Sequence, residues 1–181
     1  MKHAQIGIGT IISFLILTSP AFAAQATAVI TGTTEGSPVS GEATFKEVDD
    51  GLEIEVKVAN VNPGKHGFHI HENASCEDAG KAAGGHYNPD DVDHGLVNKD
   101  GFEHAHCGDF GNVEVAEDGT GAWKTFISGL TLTAERHNVA GKAVILHEKE
   151  DDFSQPTGNA GGRIGCGLIT IQPDQPENKT N

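Results

Sequence analysis

The sequence predicts an all-β domain, a sandwich or a closed barrel, and three observations carry that expectation. Leu52, Ile54, Val56 and Val58 alternate with Glu53, Glu55 and Lys57, the period of two that half-buries an antiparallel strand. Two Asp-Gly pairs, Asp50-Gly51 and Asp118-Gly119, stand where hairpins turn. No long stretch carries apolar residues at i, i+3, i+4 and i+7, so helices should contribute little.

The chain opens with Lys2 and His3, an apolar run over residues 6–17, then Pro20 and Ala21-Phe22-Ala23. This is the pattern of an export signal, residues 1–23, cleaved after Ala23 or one residue later. Its twelve residues rise about 18 Å as a helix, against about 30 Å of hydrocarbon, so the run is too short to span a bilayer. Residues 24–172 are expected to form one domain, and residues 173–181, polar and proline-broken, a flexible tail. Strands are expected at 26–33, 41–47, 52–58, 67–71, 112–116, 122–128, 143–147 and 164–171. Between 71 and 112 lie about forty residues with weak strand signal, far above the usual loop length, and such loops are generally functional.

Lys and Arg number 12 against 26 Asp and Glu, a formal charge of −14. With so few cations no basic face can form, which argues against a nucleic-acid partner. No segment after the signal could span a membrane. Export lets thiols oxidise, and Cys76, Cys107 and Cys166 allow three pairings with one thiol left over. A Cys76–Cys166 bridge would close roughly 90 residues and, by chain entropy, contribute about 4 to 5 kcal/mol.

Ten histidines occur. His69 and His71 flank Ile70 in a predicted strand, so both rings leave one face and could share a metal. His86, His94, His106 and Asp109 place three imidazoles and a carboxylate within one loop, a donor set suited to tetrahedral Zn²⁺ rather than to oxygen-seeking Ca²⁺ or Mg²⁺. His147 ends an apolar strand where Glu148-Lys149-Glu150-Asp151-Asp152 begins.

On these residues the sequence resembles the copper/zinc superoxide dismutase family over about residues 26 to 172. The carrying segments are Gly67-Phe68-His69-Ile70-His71-Glu72, Gly84-Gly85-His86-Tyr87-Asn88-Pro89, His106-Cys107-Gly108-Asp109-Phe110-Gly111-Asn112, the run from His147 to Asp152, and the run from Gly158 to Gly167. The resemblance implies a flattened eight-stranded Greek-key β-barrel, an immunoglobulin-like sandwich, with a long metal-binding loop. It implies one copper and one zinc: copper on His69, His71, His86 and His147, zinc on His86, His94, His106 and Asp109. His86 would bridge both as an imidazolate, which a dication on each side makes feasible. Asp151 matches a carboxylate that fixes the tautomers of a copper and a zinc histidine, and Arg163 a cation that orients a small anion beside copper. Cys76 and Cys166 match the family disulfide. The implied activity is dismutation of superoxide to O₂ and hydrogen peroxide by alternate reduction and reoxidation of copper, in antioxidant defence outside the cytosol. The periplasm is the first expectation and the extracellular space the second.

Several residues depart from the pattern or play no part in it. Cys107 directly follows His106 and is expected to be a buried small side chain facing away from the metal. His104 competes with His106, but spacing to Asp109 favours His106. His66 matches a structural position, and His137 is expected to be an exposed loop residue. A body this acidic repels superoxide unless a cleft focuses a positive field. Residues 152–159 carry no lysine, so Lys81 is the candidate steering cation. Asn73 stands where dimeric animal enzymes carry an aromatic, leaving homodimer or monomer open. The rival classes are an exported copper or zinc buffer, which has no use for Arg163, and a blue-copper carrier, disfavoured because the only Met is Met1.

Overall fold

The computed structural model describes residues 23–173. The proposed signal, apart from its last residue, and residues 174–181 of the proposed tail lie outside the described residues. Nine strands follow in order: β1 (Gln25–Gly32), β2 (Ser40–Val48), β3 (Gly51–Ala59), β4 (Gly64–His71), β5 (Asp109–Val115), β6 (Gly121–Ser128), β7 (Ala143–His147), β8 (Arg163–Leu168) and β9 (Thr170–Ile171). The only helical pieces among the described residues are a 3₁₀ turn, Lys81–Ala83, and one short helix, α1 (Val97–Asp100).

The strands pair in the order β2-β3-β6-β5-β4-β7-β8-β1, and β1 pairs back with β2, so the sheet closes into an eight-stranded antiparallel barrel. Closure leaves no long edge to recruit another chain. The short β9 continues β8 along β1. Alternation fills the interior: Ala26, Ala28 and Ile30 from β1, Ala43 and Phe45 from β2, Leu52, Ile54, Val56 and Val58 from β3, and Phe68 and Ile70 from β4 lie in one buried cluster.

The predicted strand at 164–171 is broken because Ile169 turns into the core, and its N–H and C=O pair with Lys142 and Gly141 rather than with a neighbouring strand. The predicted strand at 112–116 begins earlier, at Asp109. The hairpin at Asp118-Gly119 turns there, with Gly119 at φ 80°. The other hairpin shifts by one residue: Asp49 and Asp50 make the turn, with Asp49 at φ 47°, and Gly51 is the first residue of β3. Gly51 is required for a different reason, since a Cβ there would collide with the Ile127 carbonyl of β6.

Two long connections cover one side of the barrel. The β4–β5 loop, 72–108, is tied to β8 by the Cys76–Cys166 disulfide, leaving Cys107 as a free, buried thiol. The β7–β8 loop, 148–162, presses close to β4 at Gly67, where a Cβ would lie 2.9 Å from Ala160 and 3.1 Å from the His69 ring.

Candidate metal centre

Alternation along β4 sends Phe68 and Ile70 into the core, so His69 and His71 leave by the opposite face, beneath the two long loops. A register shift between Gly67 and His69 sets His69 opposite Asp109, the first residue of β5. His147 ends β7, where a second shift pairs it with Arg163 of β8. His86 is drawn in by an isolated bridge to His71.

Two donor sets result. In His69, His71, His86 and His147 the ligating atoms lie within 4.8 Å of one another, and so do those of His86, His94, His106 and Asp109. All seven residues are buried, and His86 belongs to both sets.

Hydrogen bonds decide which nitrogen of each ring faces the centre. His71 directs Nδ1 to the Gly84 carbonyl at 2.9 Å, freeing Nε2, which lies 3.4 Å from Nε2 of His147. Asp151, fully buried, accepts from Nε2 of His69 at 2.8 Å and from Nε2 of His94 at 3.0 Å. That consumes the proton of each ring and leaves both Nδ1 atoms as buried acceptors without a hydrogen-bond partner. Nδ1 of His94 stands 2.8 Å from Oδ2 of Asp109, a contact that needs a proton or a cation between the two atoms. Oδ1 of Asp109 lies 2.8 Å from Nδ1 of His86 and 3.0 Å from Nδ1 of His106, while Oδ2 accepts the N–H groups of Gly95 and His106 at 2.9 Å. Leaving buried acceptors unsatisfied costs about 1–3 kcal/mol each. A cation at each focus removes that cost, so the donors present fit two metal ions.

Electrostatics agree with that fit. Burial is the main force holding His71 neutral, at about 2, and His86 at about 4, and it keeps His147 well below the usual imidazole range. Neutral imidazole is the ligand form. Burial also opposes charge on His94, but the Asp109 and Asp151 carboxylates outweigh it and raise that ring to about 9. Asp109 and Asp151 stay ionised despite burial because the histidines around them hydrogen-bond the carboxylates.

Arg163 is fixed by the loop it faces, donating to the carbonyls of Gly80 and Gly84 at 2.6 Å each. A cavity of about 200 Å³ joins its side chain to His71, His86 and His147, so a small anion can reach the first donor set beside a fixed cation. Lys81 is exposed, next to the Gly80 carbonyl that holds Arg163. The stem of Lys149 runs against Gly161 at the cavity rim, a cation missed by looking only at residues 152–159.

Other supports were not visible in the sequence. Asn112 pairs with the backbone of Asp151 in both directions, at 2.8 and 3.0 Å, and Gln155 does the same for His94 at 3.0 and 2.9 Å. Gly158, at φ 74°, presses so close to the Asp151 carboxylate that a Cβ would collide with it. His104 is exposed and belongs to neither set. His66 braces the barrel, with ring nitrogens 2.8 Å from the carbonyls of His147 and Asn62. His137 is not the exposed loop residue expected: its side chain is 11 % exposed, held by packing on Phe102 and by Asp90 at 2.7 Å, on a backbone at φ 54°.

A closed β-barrel whose side carries two adjoining nitrogen-rich donor sets, with one ring in both, defines a two-metal protein with an anion-accessible face. The model of the family "Copper/zinc superoxide dismutase" matches residues 39–169. Extracellular superoxide dismutase [Cu-Zn] of Drosophila melanogaster is 40% identical over 147 residues, covering 76% of this chain and 79% of that protein. The crystal structure of the clock protein EA4 superposes with a TM-score of 0.74 at 33% identity, over 87% of this chain and all of that one. The chain belongs to the copper/zinc superoxide dismutase family. Its activity is the dismutation of superoxide, and its cofactors are copper and zinc.

Proposed function

We propose that His69, His71, His86 and His147 hold the copper, that His86, His94, His106 and Asp109 hold the zinc, and that Arg163 and His86 serve catalysis. The observation that carries this is the double membership of His86, whose Nδ1 faces Asp109 while the ring also completes the set of His69, His71 and His147. When bound, copper supplies the one-electron couple for both half-reactions, and zinc, without redox chemistry of its own, sets the proton affinity of the shared ring.

Each turnover takes two superoxide anions and two protons to O₂ and hydrogen peroxide. Arg163 binds the anion and orients it toward the cavity floor, since its guanidinium is permanently charged and anchored at two carbonyls. His86, whose Nδ1 faces Asp109, would hold one of the two protons on Nε2 between half-reactions and deliver it to the departing peroxide; water supplies the other. Asp151 keeps His69 and His94 donating from Nε2, so both Nδ1 atoms stay available. Lys81 and Lys149 offset the acidic body near the entrance.

The name of the Drosophila relative and the Cys76–Cys166 disulfide support export. We place the protein in the periplasm, with the extracellular space as the alternative. No helix among the described residues is long and apolar enough to cross a membrane. Monomer or homodimer is decided by whether a second copy covers the exposed Val29, Leu168 and Ile171, which sedimentation velocity reads directly. The test of the function is peroxide formation from superoxide by protein loaded with copper and zinc, against the zinc-only and metal-free forms. Activity confined to the doubly loaded form supports the assignment, and equal activity in all three refutes it.

A further inference from the structure

Among the described residues, outside the paired donor sets, one cluster of ligating side chains has no part in the proposed chemistry. Asp90 lies in the β4–β5 loop, Cys107 just before β5, and His137 in the β6–β7 connection, yet their ligating atoms come within 4.8 Å of one another. Oδ2 of Asp90 is 2.7 Å from Nε2 of His137 and 3.9 Å from Sγ of Cys107. Cys107 is 1% exposed, and the side chains of His137 and Asp90 are 11% and 18% exposed. The His137 ring is positioned by packing on Phe102, 4.0 Å between centroids.

Simpler accounts each leave a group over. Core packing explains a small side chain at 107, but not a sulfur directed at a carboxylate. An ion-pair latch of Asp90 with Arg136 (2.6 Å) explains the loop contact but not the thiol. Nε of Arg136 also donates to Nε2 of His137 at 3.2 Å. That nitrogen cannot both accept from Arg136 and donate to Asp90, so either the 3.2 Å or the 2.7 Å contact lacks its proton.

The geometry points to a third metal site, separate from the paired centre, in which Asp90 Oδ2, Cys107 Sγ and His137 Nε2 take a zinc-class dication. One sulfur, one nitrogen and one oxygen donor suit Zn²⁺ and its neighbours rather than Ca²⁺ or Mg²⁺. Bond lengths of about 2.0–2.3 Å set tetrahedral donors about 3.3–3.8 Å apart, so the cluster closes on an ion with small movements. On binding, the metal–sulfur bond replaces the S–H bond, the proton passes to solvent and no electron moves. Arg136 remains on Oδ1 and aims Oδ2 inward. The ion would pin the β6–β7 connection to the loop that carries His86 and His94.

Cobalt tests this, because neither paired set contains sulfur. Protein already loaded with copper and zinc, its free thiol kept reduced, is titrated with Co²⁺ and followed by metal analysis and near-ultraviolet absorption. The site predicts one further equivalent bound with a thiolate-to-cobalt charge-transfer band. Cys107→Ser abolishes the band, and His137→Gln weakens Co²⁺ binding at least tenfold while dismutation is unchanged. Absence of a further equivalent, binding without the band, or undiminished affinity in His137→Gln overturns the proposal and leaves an Asp90–Arg136–His137 latch. Because His137→Gln leaves the buried thiol in place, the test stands even if Cys107→Ser fails to fold.

Discussion

Asp151→Asn isolates how a carboxylate that touches no metal controls two that do. Oδ2 of Asp151 accepts from His69 at 2.8 Å, and Oδ1 accepts from His94 at 3.0 Å and from the Phe153 N–H at 2.8 Å. Asparagine keeps one acceptor oxygen and replaces the other with a donor, so one of the two rings meets an N–H where it needs an oxygen. That ring turns over its tautomer, placing a proton on the Nδ1 that should bind metal. His94 is the more exposed to this loss, because its Nε2 lies 3.0 Å from Oδ1 and 3.1 Å from Oδ2 and so meets the new donor whichever way the amide turns. Removing such an outer partner costs about 10- to 100-fold in metal affinity, equivalent to about 1.4–2.7 kcal/mol. Competition with a chromophoric chelator measures zinc affinity, and metal analysis after dialysis measures occupancy. We expect zinc to weaken by that factor while the barrel's melting in the fully loaded state stays cooperative. Zinc affinity within twofold of the parent would refute the reasoning.

Arg163→Ala should leave both metals bound but lower kcat/KM about tenfold or more, the lower bound of electrostatic guidance; stopped-flow superoxide decay measures it, and an unchanged rate contradicts the anion role. Replacing Cys76 and Cys166 together with Ser opens a loop of 90 residues, worth about 4–5 kcal/mol by chain entropy. It also frees the segment whose carbonyls hold Arg163, so denaturant midpoint and activity should fall together. In the metal-free protein, His71, His86 and His147 resist protonation when folded, mainly through burial. Unfolded imidazoles protonate near 6.5, so below that pH the unfolded state binds more protons and stability falls, by about 1.4 kcal/mol per pH unit for each proton. His94 acts oppositely: its stabilisation is full below about 6.5 and fades as pH rises through about 9. Melting temperature should therefore peak near neutrality and drop between about pH 6.5 and 4.5, and a flat profile there would count against the buried neutral rings.

Period-two alternation made β3 legible because its inward Leu52, Ile54, Val56 and Val58 face a core while its outward side meets water. β7, Ala143–His147, shows no alternation because both faces are buried, and only its length and apolar composition mark it. The donors could be read because imidazoles are rare and expensive to bury in such numbers. Asn112 and Gln155 could not, since amides reaching across 39 and 61 residues leave no local pattern. Gly51 was misread for a physical reason: the pair Asp50-Gly51 has turn chemistry, but a neighbouring carbonyl, not a turn, demands the missing Cβ. His137 was misread because nothing local announces a left-handed residue that folds its ring onto Phe102.

Electron paramagnetic resonance of protein carrying Cu²⁺ in the set of His69, His71 and His147, with Co²⁺ in the set of His94, His106 and Asp109, tests the shared ring most directly. Two paramagnetic ions joined through one imidazolate couple their spins, so the copper signal should vanish as cobalt fills its site and return when His86 is protonated off the copper. A copper signal that keeps its full intensity at one equivalent of each ion would mean that His86 serves only one of them.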